Sequence, residues 1–320
     1  MTAASDLRPR GIHTRQLTAA DIGPLNLMFS DAFSDRYRRD GLAGVHVPPL
    51  NPAIWRYAID GAGEGASCWV DERDELLAFN VAHQSGTEGW MGPLAVRPDL
   101  QGSGLGKEVV TRGIEYLRQR GCTVIGIETM PRTLDNIGFY GRLGFVPSRL
   151  TVTFTVEAHR ARCVLLSQLG VAEAEGALRE CAALMQRLQP GVDFTREILL
   201  TRALGVGDTV LLTGRDGIRG FALCHAAPLI EGRTRDELRV LKLSVGDAME
   251  FGPLLTAIGG YARIAGTSRA ALRVQGDYPD AYRHLAASGA RVRWTDLRMT
   301  LTGYAEHVSE RGIVFSNWEI

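Results

Sequence analysis

The sequence predicts an α/β protein built as two tandem units of one plan. Three observations carry that expectation. The chain has 320 residues, room for two domains at roughly 100–200 residues each. At an offset of 142 it matches itself: residues 69–83 lie over 211–225, bringing Arg73-Asp74 onto Arg215-Asp216, Phe79 onto Phe221 and His83 onto His225. Helical and strand periodicities then alternate in the same order in both halves: strand, strand, strand, helix, strand, helix, strand.

The first helix is expected over 19–33, where Ile22, Leu25, Leu27, Met28 and Phe33 fall at helical spacing. Residues 37–66 break the pattern with Pro48, Pro49, Pro52 and a glycine-rich stretch, yet carry Trp55 and Tyr57, so they read as a loop, a short helix and a loop over one face of a sheet. Strands follow over 67–71, 76–83, 90–96 and 123–128, with helices over 107–118 and 137–143, and a last strand over 149–156 after the turn residues Val146-Pro147-Ser148. In the second half a helix is expected over 171–188 and strands over 208–214, 218–225, 238–244, 270–274 and 292–301. A junction near 157–166 divides the chain into units 1–158 and 159–320.

Composition narrows the function. With 45% hydrophobic and 22% charged residues, the chain is of globular type, and no apolar run reaches the ~20 residues of a membrane span. Its first twenty residues lack the apolar block of a secretory signal, so a cytoplasmic protein is expected. Lys plus Arg equals Asp plus Glu at 36 each, so no bulk field draws the chain to nucleic acid or a membrane. Five scattered cysteines without C-x-x-C spacing indicate neither disulfides nor a zinc site, and no metal is expected. Only Lys107 and Lys242 are lysines, and the first lies beside a glycine cluster.

That cluster is the most informative run. In LAVRPDLQGSGLGKEVV (94–110) a strand ends, a proline turn follows, and Gly102, Gly104 and Gly106 stand where a helix begins. Such a turn aims free backbone N–H groups from the positive end of a helix dipole, a cradle for pyrophosphate. It is not a Walker loop, which needs Gly where Gln101 stands and Ser or Thr where Glu108 stands, nor a dinucleotide fingerprint, which needs Gly or Ala where Lys107 stands.

The remaining pattern, Q-x-x-G-x-G after a V-x-P turn, resembles the coenzyme A signature of the GNAT superfamily of acyl-CoA-dependent N-acyltransferases. NIGFYGRLGFVP (136–147) resembles that superfamily's second signature, N-x-x-x-x-Y-x-x-x-G-F, with one residue fewer between Asn136 and Tyr140, at the expected distance downstream. The resemblance implies two tandem GNAT-like domains, each a mixed, mostly antiparallel sheet flanked by helices, and acetyl-CoA as cosubstrate. It places main-chain N–H groups of Leu94, Ala95 and Val96 on the pantetheine and acyl oxygen, Gln101, Gly102, Ser103, Gly104, Leu105, Gly106 and Lys107 around the pyrophosphate, Asn136 on the pantetheine arm and Tyr140 beside the sulfur as general acid. It implies a glutamate base on the fourth or fifth strand. Where a carboxylate is common before LAV this chain has Trp90-Met91-Gly92-Pro93, so Glu128 is the candidate, with Glu88 the other carboxylate nearby. His83 and its repeat His225 read as structural.

The implied reaction is transfer of an acetyl group to a primary amine by direct attack through a tetrahedral intermediate, in the first unit alone. The repeat places AMEFGP (248–253) over QGSGLG, and Ala281 and Leu285 over Asn136 and Tyr140, so the second unit is expected to fold without binding coenzyme A. A non-catalytic acyl-CoA-binding or sensing protein is the alternative. A mycothiol-synthase-like enzyme shares the duplication, but there the second unit is the active one. The acceptor is expected to be a small, partly apolar amine walled by Phe33, Tyr37, Trp55 and Trp90, on a monomer with pseudo-dimeric halves or a homodimer.

Overall fold

The computed structural model of the protein describes residues 11–318; the first ten residues, on which the reading of the N-terminus partly rests, lie outside. Unit one runs β1 (His13–Gln16), α1 (Ile22–Arg39), α2 (Pro52–Ala62), β2 (Ala66–Val70), β3 (Leu76–Ser85), β4 (Glu88–Val96), α3 (Leu105–Gln119), β5 (Val124–Thr129), α4 (Leu134–Arg142) and β6 (Phe145–Glu157). Unit two runs β7 (Val164–Leu165), α5 (Val171–Leu188), α6 (Thr195–Leu204), β8 (Gly207–Gly214), β9 (Gly217–His225), β10 (Glu237–Val245), α7 (Phe251–Ile264), β11 (Arg269–Gln275), α8 (Pro279–Ala287), β12 (Arg291–Leu301) and β13 (Ile313–Ser316). No helix among the described residues is long and apolar enough to cross a membrane.

The elements follow from local chemistry. Helix α3 buries Leu105, Val109, Val110, Ile114 and Leu117 on one face and leaves Lys107 exposed. Helix α2 starts where Asn51 accepts from the Ala53 N–H and Pro52 needs no donor partner. Three expectations are corrected. Helix α1 runs six residues past Phe33, because Asp35, Arg36, Arg38, Arg39 and Asp40 pair along it and its last turn is basic. Val146-Pro147-Ser148 is not a turn but the start of β6, with Pro147 opposite Met299 at a bulge that tolerates its missing N–H. Helix α7 starts at Phe251 as α3 starts at Leu105, an offset one less than the motif alignment, so Glu250 with right-handed backbone replaces Gly104.

The two units do not keep separate sheets. One continuous sheet has the order β1-β2-β3-β4-β5-β12-β6-β11-β10-β9-β8-β7, with β13 on β10. Pairing is antiparallel except for β4–β5 and β10–β11. Each unit's sheet is continued by a strand of the other: β12 pairs with β5, and β6 with β11. The cores exchange side chains in the same way, Phe154 of β6 entering the second core and Met299 and Leu301 of β12 entering the first, beside Tyr140 and Phe145. Each unit therefore needs the other to cover its edge.

Both units open a cleft where a parallel pair diverges. Strands β4 and β5 pair only from Glu88↔Val124 to Met91↔Ile127, and beyond Met91 the far half of β4 stands off from β5. Strands β10 and β11 pair only from Glu237↔Arg269 to Val240↔Leu272. There the resemblance between the units stops, because β13 lies against β10 from Lys242 to Val245 and fills the second cleft.

Candidate active site

The open half of β4 is the backbone of the site. The Arg97 N–H donates to the Leu77 carbonyl at 2.9 Å, and in an antiparallel ladder the direction alternates. Ala95, opposite Phe79, therefore turns its N–H to β3, while Leu94 and Val96 turn theirs to the cleft. Pro93 has none. Of the three strand residues expected to present N–H groups, two are placed to do so, and Ala95 is used by the sheet.

After β4 comes the glycine turn. Gly102 has φ +85° and Gly104 φ +90°, conformations an L side chain rarely adopts, and a Cβ built on either would meet nothing within 4 Å. The backbone is thus open to a ligand at both. The Lys107 and Glu108 N–H groups bond back to the Gly104 carbonyl, whereas those of Gly102, Gly104 and Gly106 donate to no backbone carbonyl among the described residues. Gln101 braces the turn: its side-chain oxygen accepts from Arg39 at 3.0 Å and its amide reaches the Val96 carbonyl at 3.4 Å. Arg39 was not expected here, since a helix ending at 33 leaves it in a loop. These donors fit a pyrophosphate.

A cavity of about 400 Å³ opens beyond the cleft. Leu94, Asn136, Tyr140, Glu128, Phe33, Tyr37 and Trp90 all line it, although they come from four separate elements. Asn136 is held by its amide donating to the Thr129 hydroxyl at 3.3 Å. Tyr140 packs against Phe139 and Phe145, with ring centres 5.2 and 6.1 Å away. Burial pushes its phenol well above the ordinary value, so it keeps its proton at any working pH.

Trp55 is corrected. It is fully buried, its indole donates to Asn26 at 2.8 Å, and its ring packs on Phe29 and Phe79. It acts from beneath, because Asn26 also clasps Leu50 through both backbone groups at 2.7 Å, and Leu50 lines the cavity.

Unit two supplies the rest of the wall: Leu229, Ile230, Arg273, Trp294, Asp296, Arg298 and Trp318. Tyr37 of α1 meets Trp294 of β12 edge to face at 6.4 Å, one unit against the other. Sequence reasoning missed all seven. The signal was present in RVRWTDLRMTL, where charges recur inside a strand pattern, but only the strand exchange carries that strand to the first unit's cavity.

Glu128 has both oxygens engaged. Oε1 accepts from the Thr151 hydroxyl and from Arg298, each at 2.8 Å, and Oε2 accepts from Arg273. Burial alone would raise its pKa, but the two guanidinium charges outweigh it and hold the carboxyl below its ordinary value. That suits an anchor for two arginines better than a proton acceptor, which works best near the operating pH. Arg298 is fully buried, lies 3.8 Å from the Trp90 ring, and grips Glu306 through Nε at 3.1 Å and a terminal nitrogen at 2.7 Å. Glu88 accepts from Trp90 and from the Ser316 hydroxyl, each at 2.7 Å, and Ser316 in turn takes a bond from Lys242 at 3.0 Å. Burial brings Lys242 down to about 8, against the charges of Glu88 and Glu197 that favour its ionised form. Removing one member strands the others: Arg298→Ala should cost about 3–5 kcal/mol of stability by leaving Glu128 and Glu306 uncompensated, read as a lowered urea midpoint.

His83 belongs to this interior. Burial, with the Lys242 charge second, holds it down to about 3, so it is neutral, and its Nε2 lies 3.0 Å from the Gly92 carbonyl. His225 is likewise buried and lowered, with Nε2 3.0 Å from the Thr201 hydroxyl.

Comparison with known proteins meets this geometry. The chain is 36% identical over 78 residues, 24% of its length, to a mycothiol acetyltransferase of Saccharopolyspora erythraea, and the match spans 25% of that relative. Its fold is that of a putative acetyltransferase of Pyrococcus horikoshii, with a TM-score of 0.69 at 16% identity over 98% of this chain and 96% of the other. A tandem GNAT protein from the clavulanic acid biosynthesis pathway superposes with a TM-score of 0.58 at 12% identity, covering 92% of this chain and 100% of its own. The description "Acetyltransferase (GNAT) family" is that of the family whose sequence model matches residues 30–145, so the stretch that holds the cleft, the glycine turn and Tyr140 is similar to GNAT acetyltransferases, and the chain carries it on the fold of a tandem GNAT protein.

Proposed function

We propose that the chain is an acetyl-CoA-dependent N-acetyltransferase with one active site, in the first unit, and a small primary amine as acceptor. The observation that carries this reading is the convergence on one open cleft: a glycine turn with free N–H groups at one end and the buried, protonated phenol of Tyr140 at the other. Acetyl-CoA lies along β4, its pyrophosphate on Gly102 to Gly106 and its thioester oxygen at the Leu94 N–H. Attack by the amine forms the C–N bond and an oxyanion that this preorganised donor stabilises. Collapse breaks the C–S bond and the thiolate takes the Tyr140 proton, while the proton released by the attacking nitrogen passes, directly or through water, to the phenolate and restores the acid. Asn136 orients the pantetheine arm, and Glu128 positions Arg273 and Arg298 rather than accepting a proton.

In the second unit β13 lies where the pantetheine would lie, and Glu250 stands at the anion cradle with a charge of the wrong sign. That supports a single site. The relative's name does not carry a mycothiol substrate here, since the match covers a quarter of that protein.

Mixing the protein with acetyl-CoA and a panel of primary amines while following free thiol tests the reading. Amine-dependent thiol release supports it; binding of acetyl-CoA without release for any amine makes the chain a sensor instead. A second expectation concerns pH. The cavity carboxylates Glu128 and Asp296 are both ion-paired with Arg273, so the amine binds already neutral, and kcat/KM should rise tenfold per pH unit up to the acceptor's own pKa. Exchanging the acceptor for one of lower pKa should move that limb down by the same amount; a limb that stays put would assign a protein base.

A further inference from the structure

The last turn of α1, with Asp40 as its cap, touches both ends of the cleft. At one end Arg39 donates to the Gln101 side chain at 3.0 Å and so braces the glycine turn. At the other, Asp40 holds the start of α4: its Oδ2 accepts from the Thr133 hydroxyl at 2.6 Å, its Oδ1 accepts from Arg36, and its backbone carbonyl accepts from Arg132. Arg36 also reaches across to Asp135 at 3.0 Å. Thr133 is fully buried and the Asp40 side chain is only 5% exposed, so their bond is shielded from water and stronger for it.

Thr133 is the N-cap of α4, and Asn136 and Tyr140 follow it by three and seven residues. A threonine in that place ordinarily turns its hydroxyl to the N–H groups of its own helix. Here it makes no such bond and donates to α1 instead. Spacings of three and then four put Thr133, Asn136 and Tyr140 on one helix face, so what fixes Thr133 fixes the rotation and height of the other two. With nine residues, α4 is too short to hold itself. Packing on the core that includes Met91, Ile127 and Met299 keeps it down, but apolar attraction is non-directional. A hydrogen bond between buried groups fixes direction as well as depth.

We propose that Asp40 and Thr133 are positioning residues for the transfer: their bond sets Tyr140 where its phenol meets the leaving sulfur of a cofactor whose pyrophosphate cradle the same turn of α1 braces through Gln101. This rests on the reading of Tyr140 as the general acid. The span from cradle to acid has to match the pantetheine arm, and one turn of α1 ties both ends of that span together. Neither Asp40 nor Thr133 touches the reacting atoms. A misplacement of about 1 Å at a reacting group costs on the order of 10²-fold in rate, so loss of the bond shows in turnover rather than in cofactor affinity.

A double-mutant cycle on kcat, with the full chain, tests this. Thr133→Val removes the hydroxyl at nearly constant shape and should lower kcat by about 10–100-fold, with the acetyl-CoA Kd close to wild type. Thr133→Ser restores the donor and should recover most of the loss. In a Tyr140→Phe background Thr133→Val should change kcat by no more than about twofold, because the group it positions has already lost its proton. A residue that only supports the fold slows both backgrounds alike, so equal losses overturn the proposal, as does wild-type kcat in Thr133→Val. The two readings fail separately: wild-type turnover in Tyr140→Phe alone removes the acid and the positioning with it, whereas a slow Tyr140→Phe with equal Thr133→Val losses removes the positioning only. If Thr133→Val does not fold, Asp40→Ala goes through the same cycle and the same outcomes decide. Its conservative partner is Asp40→Asn, whose amide accepts from Arg36 and donates to the Thr133 oxygen.

Discussion

Gly104→Glu should abolish acetyl-CoA binding, raising Kd by at least about 100-fold, a loss of about 2.8 kcal/mol. Gly104 has φ +90°, and a Cβ there faces open space, the space a phosphate would take. A carboxylate at that point sets a negative charge against the anion at the positive end of α3. The left-handed backbone adds a strain of about 1–2 kcal/mol, which acts on stability rather than on binding. Gly104→Ala separates the two, since it carries the same strain without the charge and should retain partial affinity. Calorimetric titration should give one equivalent of coenzyme A per chain in the wild type and none in Gly104→Glu. Unchanged affinity in a folded variant would move the cofactor elsewhere. A second equivalent, or residual binding in the variant, would place another site in the unit whose cleft β13 occupies.

Tyr140→Phe should lower kcat by roughly 10²–10⁴-fold while leaving acetyl-CoA affinity close to wild type, the signature of an interaction made only as the thiolate leaves. The aromatic packing on Phe139 and Phe145 does not involve the hydroxyl, so the melting temperature should hold. Because burial raises the phenol well above its ordinary value, the wild type should show no loss of rate from Tyr140 ionisation below about pH 10, its unperturbed range. Wild-type turnover in Tyr140→Phe would make the residue a core aromatic and nothing more.

Much of this site is written locally. The glycine turn is legible because backbone conformation and helix start are properties of a few neighbouring residues, and Gly102 and Gly104 do take the positive φ that their identity permits. Asn136 and Tyr140 are legible because a fixed helical spacing carries both to one face. Phe33, Tyr37 and Trp90 reach the cavity as expected, but Trp55 does not: a tryptophan on an apolar helix face reads the same whether it lines a pocket or supports the loop that does. Glu128 is the clearest case of a residue whose identity was visible and whose environment was not. Its two arginines stand 145 and 170 residues away in the chain, and no local pattern connects them.

The sequence by itself determined the duplication, the repeated series of strands and helices in each half though not β1, β7, α6 or β13, the open glycine cradle of the first and its loss in the second, since each depends on periodicity or on residues within one turn. Only the tertiary structure decided that β6 and β12 cross into each other's units, that β13 closes the second cleft, and that Arg273, Arg298 and Trp318 wall the first unit's cavity. Those are choices among strand partners. Each half presents an edge of unpaired backbone groups that several strands could satisfy, and what selects among them is the burial and hydrogen bonding of residues far apart in the chain, a sum over the whole fold that no window of sequence contains.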